Sequence, residues 1–141
     1  MSEKDEYYTP KWVFETLDVV FDLDVCAPIH GSNANARFWF HKEIDGLAQH
    51  GHGNVWMNPP YSNPTPWVDK FIEHRQGIAL IITSKAKWFH KLWNDVDGMT
   101  LLPVNMKFER HGGLAQIQFQ TVLFAYGQSN VEDISKINKV R

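Results

Sequence analysis

Apolar positions along this chain recur at helical spacing in three stretches and run or alternate as strands between them. Val13, Leu17 and Val20 fall on one face of a helix predicted over residues 10–20, with Thr9 as N-cap and Pro10 in the first helical position. "FDLDV" (21–25) reads as a short strand, followed by a polar, Asn-rich segment over 30–37. "NVWM" (54–57) reads as a second strand that runs into Pro59 and Pro60. Thr65-Pro66 repeats the cap-plus-proline signal, and Trp67, Val68, Phe71 and Ile72 form the apolar face of a helix ending near Arg75.

The clearest strand is "GIALIIT" (77–83), whose unbroken apolarity predicts burial on both faces, as in a parallel sheet. A helix over 85–94 carries Trp88, Phe89, Leu92 and Trp93, which read together as core. "MTLLPV" (99–104) reads as a further strand, and "AQIQFQTVLFAYG" (115–127) as one or two more. Strand and helix in alternation predict an α/β domain with a mostly parallel sheet and a C-terminal antiparallel strand or hairpin. At 141 residues this is a single domain over 1–141, with residues 1–6 and 130–141 expected to be flexible ends and the basic tail "SKINKVR" to fray.

Composition narrows the function classes. Hydrophobic residues at 43% suffice for a core, which excludes wholesale disorder. No apolar run approaches the ~20 residues of a membrane helix, and the acidic amino terminus lacks a signal-peptide apolar region. One cysteine, Cys26, precludes an internal disulfide. A cytoplasmic location without a membrane partner is the resulting expectation. Charge is unevenly spread: residues 1–50 hold four Lys/Arg against nine Asp/Glu, and residues 51–141 hold ten against seven. The basic excess lies in the half that includes "GNVWMNPPYSNPTPW" (53–67), which permits contact with a polyanion without requiring it.

Asn58-Pro59-Pro60-Tyr61 stands at the carboxyl end of its predicted strand, where open α/β sheets bind ligands. Each proline pushes its predecessor towards an extended conformation and contributes no N–H. The Asn58 side-chain oxygen and the Pro59 carbonyl can therefore converge as two fixed acceptors, beside the aromatic face of Tyr61. Such a pair suits an exocyclic amino group, whose lone pair is delocalised into its ring. Hydrogen bonds from both N–H groups raise electron density on that nitrogen and hold it in line with an electrophile, with no covalent enzyme intermediate.

With "YYTP" (7–10), "FDLDVCA" (21–27), "DGL" (45–47) and "VWMNPPYSNPTPWVDKF" (55–71), the chain resembles the small phage-type DNA N6-adenine methyltransferases, a match that continues more loosely through "LIITSKAKWF". The resemblance implies a minimal Rossmann-like class I methyltransferase, S-adenosylmethionine as cofactor and DNA as substrate. It places Asn58, Pro59, Pro60 and Tyr61 in catalysis, with Tyr61 stacking on the target base. It places Tyr8, Thr9, Pro10, Asp24, Ala27, Asp45, Gly46, Leu47 and Asn58 around the cofactor. Free N–H groups at a helix start beside Thr9 and Pro10 would suit its carboxylate. Lys85, Lys87, Lys91, Lys107 and Arg110 are candidates for phosphate contacts, and the loop "NMKFERHGG" (105–113) for reaching a groove or covering the site. One departure stands out: "DVCAPIHGSN" has only Gly31 where a glycine-rich loop is usual.

The same residues admit other readings. Asn-Pro-x-Tyr also serves as a peptide ligand, but normally in flexible tails rather than between a strand and a helix. The histidines of "QHGHG" (49–53) lack the convergent partners of a zinc site, so no metal is expected. Cys26 lacks the partners of a nucleophile for ring methylation and reads as a small packed side chain. Two alternatives stay open: the same chemistry on RNA or a protein glutamine, and a cofactor- or DNA-binding module without turnover. Both monomer and homodimer are compatible with the sequence.

Overall fold

Gly77–Ile82 is the strand whose two faces the rest of the molecule covers, as its unbroken apolar run predicts. The structure, a computed structural model, describes residues 7–28, 31–41, 53–60, 62–103, 107–110, 113–116 and 120–141. For Tyr7, His41 and the segments 107–110 and 113–116 it describes the backbone only. In chain order the first elements are β1 (Tyr7–Tyr8), α1 (Lys11–Leu17), β2 (Phe21–Ala27), β3 (Ala36–His41), β4 (Val55–Met57) and α2 (Thr65–His74). There follow β5 (Gly77–Ile82), α3 (Lys87–Asp95), β6 (Gly98–Leu101), β7 (Lys107–Arg110), β8 (Gly113–Gln116), β9 (Thr121–Tyr126) and α4 (Gln128–Ile134).

Six strands form one sheet in the order β3-β2-β4-β5-β9-β6. β3, β2, β4 and β5 are parallel neighbours, and β9 runs antiparallel to both β5 and β6. The expected C-terminal antiparallel strand is therefore β9, inserted between two strands of the opposite direction. Alternation along β5 divides the core. Ile78 and Leu80 pack with Val13, Phe14 and Leu17 of α1, Trp56 and Ile134 of α4. Ala79 and Ile81 pack with Val68 and Phe71 of α2 and with Phe89 and Leu92 of α3. Helices on both faces explain a central strand with no polar position.

Several boundaries differ from the sequence-based expectation. α1 stops at Leu17 because Asp18 turns left-handed (φ 52°), so Val20 lies outside it and is 52% exposed. Its N-cap residue is Pro10, not Thr9, and α2 starts at Thr65 with Pro64 as cap. α3 opens at Lys87 after a turn in which Ser84 Oγ accepts from the Ala86 N–H. Of the aromatics expected in the core there, Phe89 is buried, Trp88 is half-buried and Trp93 is exposed. The Asn-rich segment leads into a strand, β3, and the 105–113 loop contains one, β7, which forms a separate three-stranded sheet with β1 and β8.

The tail pairs with β6. The Met99 N–H donates to the Arg141 carbonyl (3.0 Å) and the Arg141 N–H to that of Met99 (2.8 Å). Thr100 Oγ1 donates to the Lys139 carbonyl at 2.7 Å, while Ile137 and Val140 pack on the core. The basic side chains hid these apolar contacts and the cover they give to the edge strand β6.

Gly77 sits at φ +155°, and a Cβ there would collide with the carbonyl oxygen of Val55 on β4. Backbone cannot yield as a side chain does. Gly77→Ala is expected to destabilise the fold by on the order of 3 kcal/mol, read from urea denaturation midpoints.

Candidate active site

β2, β4 and β5 point their carboxyl ends to one edge of the sheet, and of the candidate residues Asp24 lies within β2 and Asn58 just past β4. Asp24 lies on β2 opposite Trp56 of β4 and Trp39 of β3, so all three side chains share the α1 face. Past Asp24 the β2–β3 register slips: Asp24 pairs with Trp39 but Ala27 with His41, so β2 carries one extra residue. That bulge takes the Cys26 N–H to Asp24 Oδ1 (3.2 Å), and Ser32 Oγ donates to Asp24 Oδ2 (2.6 Å). Bulges of this kind re-aim side chains beside active sites.

Asp24 is 2% exposed, and among the described residues no cation pairs with it. Burial pushes its carboxyl up to about 6, partly offset by the hydrogen bonds from Ser32 and Cys26. A buried acid held by two donors and no counter-charge is costly to keep, which marks it as a ligand-binding candidate.

Residues 28–35 connect two parallel neighbours, a step that usually takes a helix of a dozen or more residues. Of that connection, residues 31–35 run as a strap along the α1 face. Ser32 bonds Asp24, Asn33 Nδ2 donates to the Thr9 carbonyl at 2.9 Å, and the Asn35 carbonyl accepts from Phe21 N–H at 2.7 Å. The indole of Trp39 rests against Gly31 and stays 45% exposed.

At the end of β4, Asn58 is half-buried and Pro59 and Pro60 are buried. Asn58 Nδ2 donates to Thr9 Oγ1 at 3.4 Å, across 49 positions of sequence. Thr9 is itself buried, 2% exposed, and Pro10 beside it is buried as well. Tyr8 is half-buried in β1 and pairs with Glu109 of β7. Thr9, Asp24 and Asn58 are thus joined through Ser32 and Asn33 into one polar network, and the buried Ala27 ends β2 beside it. Ser32 and Asn33 escaped the sequence reading because their partners lie 8 and 24 residues away; the Asn-rich composition of the segment was their only signal.

Asp45, Gly46, Leu47 and Tyr61 lie outside the described residues. Lys85 and Lys87 are exposed where β5 gives way to α3, on the same sheet edge as Asn58. Lys91 reaches Asp69 at 3.7 Å, an exposed pair of little energetic weight. The backbones of Lys107 and Arg110 belong to β7, and Arg110 stands opposite Tyr7. A second polar cluster occupies the opposite edge, where β5 begins. There Asp95 Oδ2 accepts from Tyr126 (2.6 Å) and Arg75 (2.7 Å), and the guanidinium lies over the Tyr126 ring. It is remote from the candidate site and braces α2 and α3 against β9.

Among the described residues no group of His, Cys, Asp or Glu could hold a metal, and no helix is long and apolar enough to cross a membrane. Cys26 is buried, in keeping with a packed side chain.

A profile of the DNA N-6-adenine-methyltransferase (Dam) family matches residues 1–136. Among curated proteins, the DNA N-6-adenine-methyltransferase of Haemophilus phage HP1 (strain HP1c1) is 35% identical over 99 aligned residues, covering 62% of this chain and 56% of that protein. The chain spans just over half the length of the curated relative it matches. With a family match that takes in the strap, the buried acid and the Asn-Pro-Pro-Tyr edge alike, the chain belongs to the DNA N-6-adenine-methyltransferase (Dam) family.

Proposed function

We propose that this chain transfers a methyl group from S-adenosylmethionine to the N6 amino nitrogen of adenine in DNA. The observation that carries the reading is the polar network linking buried Asp24 of β2 to Thr9 and to Asn58 at the end of β4. The sheet order, with one antiparallel strand near the C-terminus, supports the finer assignment to a minimal Rossmann-like class I methyltransferase.

The residues present fit the cofactor. A buried carboxylate without a protein counter-charge among the described residues suits the cofactor's ammonium or its ribose hydroxyls, and Asp24 would hold it there with Ala27 alongside. Tyr8, Thr9 and Pro10 would close the same pocket from the amino terminus, and Asp45, Gly46 and Leu47 complete it in this reading. Bound S-adenosylmethionine supplies a methyl group made electrophilic by a positively charged sulfonium.

Asn58 Oδ1 and the Pro59 carbonyl accept the two N–H bonds of the target amino group, and Pro60 keeps Pro59 extended. Tyr61 stacks on the base. These contacts orient the nitrogen and enrich its electron density, which is positioning and electrostatic preorganisation. A base within a duplex reaches the site by flipping, at a cost of a few kcal/mol for unstacking and unpairing. Lys85 and Lys87 contact phosphate during that step, with Lys107 and Arg110 on the hairpin strand β7.

Two measurements test the assignment. Offered DNA, RNA and protein together with labelled donor, the chain is expected to label DNA; label confined to RNA or protein would overturn the choice of substrate. DNA binding should weaken with salt, and Lys85→Ala with Lys87→Ala should reduce the salt slope by about 1–2 and lower affinity across sequences. An unchanged slope would remove these lysines from the interface.

A further inference from the structure

Among the described residues, Ser32 is the side chain that holds the buried carboxyl of Asp24, and a neighbour fixes the direction of its hydrogen bond. The Ala34 N–H, which can only donate, bonds to Ser32 Oγ at 3.1 Å. The hydroxyl proton is left to point elsewhere. Asp24 Oδ2 lies at 2.6 Å, whereas the Ala34 carbonyl lies at 3.5 Å and already accepts the Ala36 N–H at 2.9 Å. The proton therefore goes to Asp24. A short bond from a hydroxyl to an ionised oxygen is of the charge-assisted kind.

We infer that Ser32 is a positioning residue for the cofactor site, its hydroxyl keeping Asp24 in the charged form and orientation that S-adenosylmethionine meets. The inference rests on the proposed role of Asp24 as a cofactor ligand. Burial favours the neutral acid, and a donor aimed at Oδ2 works against it. The other donor, the Cys26 N–H on Oδ1, is backbone and comes with the bulge of β2. Ser32 supplies its bond from a separate segment, the strap. That segment is fastened just beyond it, by Asn33 Nδ2 on the Thr9 carbonyl and by the Phe21 N–H on the Asn35 carbonyl.

No charge competes for this role among the described residues. β3 and β4 set Trp39 and Trp56 beside Asp24, and the strap, residues 31–35, holds no ionisable group. Lys11 and Glu15 of α1 and Arg37 of β3 are exposed. Burial and the two hydrogen bonds account for the displacement of the carboxyl from its ordinary range.

The test compares Ser32→Ala, which removes the donor, with Ser32→Thr, which keeps it. The Asp24 carboxyl carbon, followed by NMR in the ligand-free protein, is expected to titrate with a midpoint of about 6 in wild type and Ser32→Thr and about 7 or above in Ser32→Ala. S-adenosylhomocysteine affinity, by calorimetry, should follow the charged fraction. With a midpoint about one pH unit higher, Ser32→Ala binds about 5-fold more weakly than wild type near pH 6 and within about 2-fold near pH 8.5, where both carboxyls are ionised. An unchanged Asp24 midpoint in Ser32→Ala would overturn the inference. So would an affinity loss of equal size at both pH values, the mark of a merely structural role. A raised midpoint with an affinity that ignores pH in both proteins would instead sink Asp24 as a cofactor ligand, and with it the part of Ser32 in binding, while leaving the hold of Ser32 on the carboxyl intact.

Discussion

Asn58→Ala is expected to lower the rate of methyl transfer by about 10²–10³-fold, the usual cost of removing one preorganised polar group from a site that stabilises developing charge. Asn58 is half-buried at the end of β4, and Val55, Trp56 and Met57 before it anchor that strand in the core. The fold should therefore tolerate the change within about 1 kcal/mol, as for substitutions outside the core. On the proposed mechanism the loss belongs in kcat, because the acceptor contact would strengthen as the amino nitrogen attacks. Asn58→Asp gives a graded control. A carboxylate still accepts, and the Thr9 hydroxyl can donate to it, so this variant should fall between wild type and Asn58→Ala. Single-turnover kinetics with saturating donor separates the three.

The second large effect concerns Asp24, and it has opposite signs for stability and binding. Asp24→Asn should stabilise the ligand-free protein while weakening its affinity for S-adenosylhomocysteine at least about 10-fold, one hydrogen-bonded charge contact being worth 1.5–3 kcal/mol. The carboxyl rises from 3.8 to about 6 on folding, mainly through burial. Its neutral form is therefore the one the fold favours. The associated stability is fully present below the unfolded value near 3.8 and is lost as pH rises through about 6. Above that the penalty is constant, of order 3 kcal/mol at 1.36 kcal/mol for each unit. Denaturation curves of wild type and Asp24→Asn should diverge between pH 4 and 6 and run parallel above. On the proposed role of Asp24, cofactor affinity of the wild type should fall as pH drops below about 6, because protonation removes the carboxylate's charge. Equal stability of the two proteins at pH 7 would contradict the account of Asp24 as a costly buried acid.

Features set by local pattern were legible in the sequence, and those set by distant partners were not. The run "GIALII" declared a strand covered on both sides, and β5 is buried on both faces. Apolar spacing located α2 and α3, and the prolines after "VWM" marked the strand end that carries Asn58. β3 was missed because "ARFWFH" is an edge strand preceded by a strap instead of a helix, so neither the βαβ rhythm nor burial announced it. The two-residue β1 has no local signature at all; it exists because β7, a hundred residues on, pairs with it. α4 is short and polar, placed by Ile134 in the core and by Asn130, whose side chain bonds Asn54 and the Tyr126 carbonyl.

The site followed the same division. Asp24, Asn58 and Thr9 were readable as residue types at strand ends and before a helix. What joins them was not, since Ser32 and Asn33 act through hydrogen bonds that cross from the strap to β2 and to the amino terminus. Thr9 illustrates the limit: its position suggested a cap, but Pro10 took that role and left the hydroxyl for Asn58.

The central claim is methylation of the adenine amino group at the Asn58–Pro59 edge. Its most direct test is transfer of isotope-labelled methyl from S-adenosylmethionine to unmethylated DNA, followed by digestion to nucleosides and identification of the labelled species, for wild type and Asn58→Ala side by side. The account predicts label in N6-methyladenine with wild type and a loss of at least about 10²-fold with the variant. Label in a cytosine product, label retained by Asn58→Ala, or no label on DNA from a protein that binds S-adenosylhomocysteine would contradict it.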